Sequence, residues 1–124
     1  MKVAKDLVAA SATPMVLGIL AEGESYGYAI LRRINELSGG ELEWTEGLLY
    51  PLLHRLERLG YSESSWQSVA GERRRRYYRI TDHGLAELAE QRRQWDTVTD
   101  ALKEIWLGLG ERGPRTASPF GYQT

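Results

Sequence analysis

A leucine pattern in the middle of the 124-residue chain restricts the possible folds more than any other feature. Five leucines share the spacing of one buried side of an α-helix, namely Leu49, Leu52, Leu53, Leu56 and Leu59. Thr45 precedes them as an N-cap residue, and Gly60 follows at a position where glycine commonly ends a helix. The pattern predicts a helix over about residues 46–59 that buries its leucines and exposes its opposite side.

Two further helices are expected before this one. Apolar positions favour a first helix over residues 5–21, with a kink or a late start near Thr13, because Pro14 removes a backbone donor. A second helix is expected over residues 26–37, capped by the hydroxyl of Ser25. The first half of the chain is therefore expected to be helical.

The second half of the chain starts with a different pattern. Residues 61–80 contain two strand patterns around a flexible turn and predict an antiparallel hairpin. The fold class is then mainly α with a small β-hairpin, and three helices followed by a hairpin is the order of a winged helix-turn-helix. We expect a DNA-binding domain over residues 5–80, in which residues 46–59 form the helix that lies in the major groove.

The last predicted helix opens at Thr81 and extends to about residue 107. Two interleaved rows recur every seven residues, Leu88, Trp95, Leu102 and Leu109 with Gln91, Val98 and Ile105. Such rows indicate a coiled-coil seam with one polar defect, and the expected dimer contacts are Leu88, Trp95, Val98, Leu102 and Ile105. A small domain cannot bury a seam of about 26 residues by itself, so residues 81–108 are predicted to pair with a second copy. Residues 109–124, rich in Gly and Pro, are expected to be disordered.

Positive charge is concentrated in the hairpin region, although the whole chain has a net charge of -1. Residues 1–53 carry four basic and seven acidic side chains, residues 54–79 carry seven and three, and residues 80–112 carry four and seven. The net charges of these segments are therefore -3, +4 and -3. A basic centre between acidic flanks indicates a local site for a polyanion, and it contains four consecutive arginines at 73–76.

The candidate DNA contacts lie opposite the leucines and near the hairpin turn. They are Thr45, Glu46, Gly47, Tyr50, Pro51, His54, Arg58, Arg73, Arg74 and Arg75. Strand alternation directs Tyr78 and Ile80 inward, so Arg76 is expected at the domain edge in a structural role. Pro51 removes one backbone hydrogen bond, which either only bends the first turn or brings bare backbone close to DNA; both interpretations stay open.

Three segments, SYGYAI, EGLLYPLLHRLERLG and RRRRYYRIT, resemble the short subfamily of the PadR family of transcriptional regulators. The resemblance covers about residues 14–107 and implies a homodimeric winged-helix repressor that releases double-stranded DNA when a small molecule or another signal acts on it. It assigns residues 46–58 to the major groove, residues 67–76 to the backbone or minor groove, and residues 82–107 to dimerisation. Two recognition helices related by a two-fold axis predict a pseudo-palindromic operator.

Three residues depart from the pattern of that family. Leu48 stands where the family usually has a small residue, often threonine, so a hydroxyl that could meet a phosphate is missing. Ser62 replaces a common apolar strand residue, which predicts a short or frayed first strand of the hairpin. Glu72 lies beside the arginines and is expected to weaken the affinity of the hairpin for DNA.

A tryptophan of the last helix has two open interpretations. Trp95 either packs in the dimer seam or binds a flat aromatic effector, as the resemblance to the multidrug-responsive, LmrR-like branch implies. In the second case Asp96 could attract a cation, and Leu7, Val8 and Ala12 are the candidate pocket walls. The two interpretations are compatible.

Other classes of protein are disfavoured by the residues themselves. The chain has no cysteine, no apolar run of membrane-spanning length and no convincing secretion signal, so a cytoplasmic protein without disulfides is expected. Its two histidines, His54 and His83, are too few for a metal site, and no cofactor is expected. Ser25 lies in a G-x-S-x-G pattern, but the chain is too short for an α/β-hydrolase sheet, so no catalytic residue is predicted. The alternative is a dimer that binds small molecules without specific DNA binding.

Overall fold

The computed structural model describes residues 2–68, 70–71 and 73–112. The elements follow in the order α1 (Lys5–Glu22), β1 (Ser25–Tyr26), α2 (Gly27–Ser38), α3 (Glu46–Arg58), β2 (Ser62–Ser68), β3 (Arg74–Ile80) and α4 (Asp82–Arg112). The predicted class, mainly α with a small hairpin and a long last helix, is confirmed. The described residues fall into two compact units that divide after Gln91, and each unit is described by itself.

Helix α1 continues through its internal proline. It begins at Lys5, so the expected alternative of a late start near Thr13 is wrong. Six side chains of α1 are buried, namely Val8, Ala12, Val16, Leu17, Ile19 and Leu20. Burial of each large apolar side chain stabilises the fold by about 1.5–3 kcal/mol, which together outweighs the roughly 3 kcal/mol cost of a proline such as Pro14 inside a helix.

A two-residue strand before α2 was not predicted. Ser25 was expected to cap α2, but Ser25 and Tyr26 form β1 and pair antiparallel with Tyr78 and Tyr77 of β3. The sheet therefore has three strands in the order β1-β3-β2. The backbone of Ser25 is used in this ladder, and α2 begins at Gly27 after the N-cap Tyr26.

The hairpin itself forms as predicted, with one correction. Strands β2 and β3 pair antiparallel over seven positions, from Ser62 opposite Ile80 to Ser68 opposite Arg74. The expectation that Ser62 shortens or frays β2 is wrong, because Ser62 starts the strand and is 2% exposed. Backbone pairing holds this end of the strand, although the Ser62 hydroxyl has no hydrogen-bond partner among the described residues.

The core lies between α1, α2, α3 and the inner face of β3. Its fully buried side chains include four from α3 and β3 that were predicted to point inward, namely Leu49, Leu53, Leu56 and Tyr78. Burial raises the pKa of Tyr78. Leu59 departs from the predicted stripe: it is 50% exposed, because α3 ends at Arg58 and Gly60 turns the chain with φ +80°.

A threonine hydroxyl caps each of the helices α3 and α4; the sequence predicts the cap of α3 and places the start of α4 at Thr81. Thr45 Oγ1 accepts a hydrogen bond from Leu48 N at 3.2 Å, and Thr81 Oγ1 accepts one from Gly84 N at 3.0 Å. Helix α4 extends to Arg112, so the expectation of disorder is wrong for residues 109–112; residues 113–124 lie outside the described part. None of the helices described in residues 2–112 is long and apolar enough to cross a membrane.

Candidate DNA interface

One groove lies along the exposed side of α3. It has a volume of about 700 Å³ and is lined from α1 and α3 by Ala9, Ala12, Gly47, Leu48, Tyr50, Pro51, Leu52, His54, Arg55 and Arg58. Five of the predicted DNA-contact residues are therefore brought together on one surface, opposite the buried leucines. Arg55 donates a hydrogen bond to Thr13 Oγ1 at 3.3 Å, which links α3 to α1 beside this groove. We call it the α3 groove.

The two remaining candidates of α3 lie at its N-terminus. Thr45 and Glu46 are both exposed. The Thr45 hydroxyl is an acceptor in the cap described above, and the Glu46 carboxylate lies in the first turn, where the helix dipole favours negative charge. Both residues therefore have a local role in starting the helix.

A second groove lies between α3, the start of α2 and the hairpin. It has a volume of about 480 Å³ and is lined by Tyr26, Gly27, Tyr28, Tyr50, His54, Trp66, Arg74, Arg75, Arg76 and Tyr78. We call it the wing groove. Tyr50 and His54 line both grooves, so they connect the surface of α3 with the basic part of the hairpin.

The position of Tyr50 depends on a glycine in α2. A Cβ atom added at Gly27 would overlap the Tyr50 hydroxyl and lie 2.8 Å from its Cζ. A contact this close would force the Tyr50 ring to move, so Gly27 leaves room for the ring in its present position. The glycine of the SYGYAI segment therefore has a packing role that lies next to the wing groove.

The arginines of the hairpin fall into two groups. Arg76 Nη2 donates to Glu57 Oε1 at 3.1 Å and Arg76 Nε donates to Ser64 Oγ at 3.0 Å, while Ser64 Oγ donates to Glu57 Oε2 at 2.8 Å. These contacts join β2 and β3 to α3 and agree with the structural role predicted for Arg76. Arg79 pairs with Glu63 at 2.7 Å, and that carboxylate raises the pKa of Arg79.

The arginines nearer the turn form the second group. Arg73 and Arg74 are exposed, and the Arg74 guanidinium lies 5.5 Å from the centre of the Trp66 ring. Arg75 points to the other face of the sheet, where its guanidinium lies 4.5 Å from the ring of Tyr26. The alternation predicted for this strand is therefore observed, and three cationic groups surround the end of the hairpin. Glu72, expected to weaken DNA affinity, lies outside the described residues.

Two aromatic residues of the wing groove were missed by the sequence reasoning. Trp66 is 57% exposed and Tyr28 is 65% exposed. The sequence did place Trp66 in a strand pattern close to four arginines. Which arginine lies opposite Trp66 depends on the strand register, however, and in the structure it is Arg76. Tyr28 stands in the SYGYAI segment and has the Arg32 guanidinium 5.6 Å from its ring.

Catalytic and metal sites find no support in the described residues. Ser25 lies in a short strand of a three-stranded antiparallel sheet, preceded by a helix, which is not a nucleophile elbow. Across residues 2–68, 70–71 and 73–112, no three His, Cys, Asp or Glu side chains are grouped so that they could hold a metal ion. The His83 ring packs 4.9 Å from that of Tyr61, and His54 lies on the exposed side of α3.

The predicted effector residues belong to different units. In the first unit Leu7 is 53% exposed, whereas Val8 and Ala12 are buried. In the second unit Trp95 is half-buried and Asp96 is exposed. A role for these residues in binding an effector stays a prediction.

The predicted dimer residues also differ in exposure. Val98, Leu102 and Ile105 are exposed apolar side chains of α4. Leu88, in contrast, packs against the core of the first unit. The exposed part of the predicted seam therefore starts after Leu88.

A family comparison agrees with this fold and surface. The model of the transcriptional regulator PadR-like family matches residues 16–90, more than half of the chain. The chain belongs to the PadR-like family. The matched segment contains α2, α3, the three-stranded sheet and the start of α4, so both grooves lie within the family domain apart from Ala9 and Ala12.

Individual proteins show the same relationship. A transcriptional regulator of Mycobacterium tuberculosis is 41% identical over 78 residues, covering 63% of this chain and 69% of that protein. A PadR family transcriptional regulator from Eggerthella lenta has a solved structure with a TM-score of 0.70 and 33% identity, covering 82% of this chain and 86% of that chain. The structure of a transcriptional regulator from Clostridium thermocellum has a TM-score of 0.75 and 29% identity, covering 82% and 96% of the two chains.

Membership defines the general activity of the chain. PadR-like proteins are transcriptional regulators and not enzymes, so the G-x-S-x-G pattern around Ser25 has no catalytic meaning here. The prediction of a DNA-binding transcriptional regulator with a winged-helix fold is confirmed at this level.

Proposed function

We propose that the chain is a homodimeric repressor that binds a pseudo-palindromic operator through α3 and the hairpin. One observation carries this proposal: Tyr50 and His54 of α3 line the same groove as Arg74 and Arg75 of the hairpin. A helix that enters the major groove and a basic hairpin beside it then meet one DNA segment together. Base edges are contacted from the α3 groove, and phosphates are contacted by the arginines.

The charge pattern supports phosphate contacts by Arg73, Arg74 and Arg75. Arg76 and Arg79 have carboxylate partners in the protein, Glu57 and Glu63. Arg73 and Arg74 are exposed beside the hairpin turn, so their positive charge lies at the surface there. Each phosphate neutralised there releases counterions from DNA, so the affinity depends steeply on salt.

The exposed apolar side chains of α4 support a homodimer. Val98, Leu102 and Ile105 follow the seam spacing and are 52%, 38% and 59% exposed. Burying them against the same helix of a second copy removes this apolar surface from water. The dimer sets the distance between the two α3 helices, and this distance sets the spacing of the operator half-sites.

We further propose that a flat aromatic effector binds beside Trp95 and Asp96 and that its binding releases the DNA. The position of Trp95, half-buried on α4, supports this assignment. Trp95→Ala is expected to leave a dimer and to abolish the fluorescence quenching caused by planar aromatic cations. Unchanged quenching in this variant would leave Trp95 with a packing role alone.

A mobility-shift experiment tests the DNA-binding function. The full chain is titrated against the DNA upstream of its own gene and against a mixed-sequence duplex of equal length. We expect tighter binding to the upstream DNA; equal affinity for both would favour a small-molecule-binding dimer without specific DNA binding. A folded dimer that shifts neither DNA at about 50 mM salt would contradict DNA binding altogether.

The salt dependence identifies the phosphate contacts. Replacing Arg73 and Arg75 with alanine is expected to reduce the slope of log affinity against log salt by about two contacts, roughly 0.9 each. Arg33→Ala is the matched control, because it removes an equal type of charge from α2, where Arg33 pairs with Glu22. Because this control removes one charge and not two, a fall in slope of about 0.9 would show that the effect comes from net charge alone.

A further inference from the structure

We propose that the wing groove binds one sugar–phosphate unit of the DNA backbone and that Trp66 forms its apolar wall. The inference rests on the proposed DNA-binding function and adds to it a contact residue that carries no charge. Its starting point is a large aromatic side chain that folding alone does not explain. Trp66 is 57% exposed, so most of its apolar surface contributes nothing to the core.

The sheet directs Trp66 toward α3. Residues directly opposite each other in an antiparallel ladder share a face, and Trp66 stands opposite Arg76 while Ser64 stands opposite the buried Tyr78. Trp66 therefore lies on the face that continues from the core, beyond the point where the core ends. Its indole becomes part of the wall of the wing groove.

Two guanidinium groups surround this indole. Those of Arg74 and Arg76 lie 5.5 Å and 6.0 Å from the centre of the Trp66 ring. Arg76 is held by Glu57 and Ser64, so it fixes one side of the ring. Arg74 is exposed and leaves its cationic group beside the flat apolar surface. A ligand that matches this wall has an anion next to an apolar ring.

The opposite wall supplies groups that donate hydrogen bonds. Tyr28, Tyr50 and His54 line it, and Tyr28 and Tyr50 are 65% and 40% exposed. Tyrosine hydroxyls and an imidazole can donate to the oxygens of a phosphate. The groove thus combines cations, donors and an apolar wall, which is the chemistry of a deoxyribose phosphate.

The geometry of duplex DNA favours the backbone over other nucleotides as the occupant. The major groove and the adjacent minor groove are separated by one sugar–phosphate strand. When α3 lies in the major groove and the hairpin reaches toward the minor groove, the DNA strand that separates the two grooves passes between α3 and the hairpin. The wing groove occupies this position, since α3 and the start of α2 line it from one side and β2 and β3 line it from the other.

The test compares Trp66→Ala, Trp66→Phe and the wild type as full chains. Binding to a fluorescein-labelled mixed-sequence duplex of about 25 base pairs is followed by anisotropy over a series of KCl concentrations. Trp66→Ala is expected to lower the affinity about tenfold at each salt concentration, because the indole no longer covers the apolar face of a deoxyribose. The salt slope stays unchanged because no charge is removed, and Trp66→Phe retains most of the affinity.

A matched control is available on α2. Leu37 is also 57% exposed and lies one residue before the end of the helix. Leu37→Ala removes a comparably exposed apolar side chain and is expected to leave DNA binding unchanged. Trp66→Ala that binds the duplex as tightly as the wild type would overturn the assignment of Trp66 and leave the proposed function intact. A wild type that does not bind the duplex at about 50 mM KCl would instead overturn the proposed function.

A second measurement covers the case in which Trp66→Ala does not fold. The wild type is labelled with 5-fluorotryptophan, and the fluorine signal of Trp66 is identified by its loss in Trp66→Phe. This signal is expected to shift on addition of the duplex, while that of the half-buried Trp44 stays in place. A Trp66 signal that the duplex leaves unshifted, or that shifts only with a free deoxynucleotide at millimolar concentration, overturns the proposal.

Discussion

The contact that joins the hairpin to α3 gives a stability prediction that separates geometry from exposure. Glu57, Ser64 and Arg76 form a closed set of three hydrogen bonds at 2.8–3.1 Å. The side chains of Arg76 and Glu57 are 36% and 32% exposed, so the ion pair is partly shielded from water. The perturbations are Arg76→Met, Glu57→Gln and the double variant, which keep the approximate side-chain volume.

The expected loss of unfolding free energy lies between the values for exposed and for buried ion pairs. Exposed pairs contribute about 0.2–1 kcal/mol, and breaking a fully buried pair costs about 3–5 kcal/mol. For groups that are one-third exposed, we expect each single variant to lower the free energy of unfolding by about 2 kcal/mol. The double variant should lose less than the sum of the two, which gives a coupling of about 1 kcal/mol.

Urea unfolding followed by circular dichroism measures this coupling. The protomer concentration is held constant, because the stability of a dimer depends on it. The pair Arg79 and Glu63 is the internal comparison: its distance of 2.7 Å is shorter, but its side chains are 67% and 59% exposed. We expect burial, and not distance, to determine the coupling energy of an ion pair, so the coupling of Arg79 with Glu63 should be less than about 0.5 kcal/mol. An equal or larger coupling for Arg79–Glu63 would refute this reasoning.

Three further predictions concern individual contacts. A Cβ at Gly84 would overlap the backbone carbonyl just before β2, so Gly84→Ala should lower the unfolding free energy, measured by thermal melts, by about 2 kcal/mol. Gly18→Ala is the control: a Cβ at Gly18 meets nothing within 4 Å, so this variant should not destabilise α1. Thr45→Ala removes the cap acceptor of α3 and should cost about 1 kcal/mol in urea unfolding, with Thr45→Ser as the variant that retains it. Hydrogen bonds from Arg33 lower the pKa of Glu22, so Arg33→Met should return that pKa to its usual range in a carboxyl NMR titration. The ion pair stabilises the fold fully above the pKa that Glu22 has in the unfolded chain, and this stabilisation is lost as the pH falls through the lower pKa of the folded state.

The elements with strong local patterns could be predicted from the sequence. The leucine spacing defined α3 to within one residue, Thr45 caps α3 as predicted, and α4 opens at Thr81 as predicted. Strand alternation correctly directed Tyr78 into the core. These features depend on interactions between residues that are close in sequence, so they are visible without the tertiary structure.

Features that depend on distant partners could not be predicted. Ser25 was assigned to a cap because a two-residue strand has no period of its own, and β1 exists only through its pairing with Tyr78 and Tyr77. Ser62 was expected to fray, but the ladder with Ile80 holds it. Helix α1 continues through Pro14 because the surrounding core stabilises it by more than the local cost.

The sequence by itself determined the fold class and the side of α3 that stays exposed, because hydrophobic period is a local property of the chain. Its three motif segments carried the resemblance to the family. Only the tertiary structure decided that Tyr50 and His54 face the hairpin, that Arg76 is held by Glu57, and that Trp66 lines the groove between them. The physical reason is that strand register and the packing of the sheet on α3 bring together residues far apart in sequence, and no local pattern records those distances.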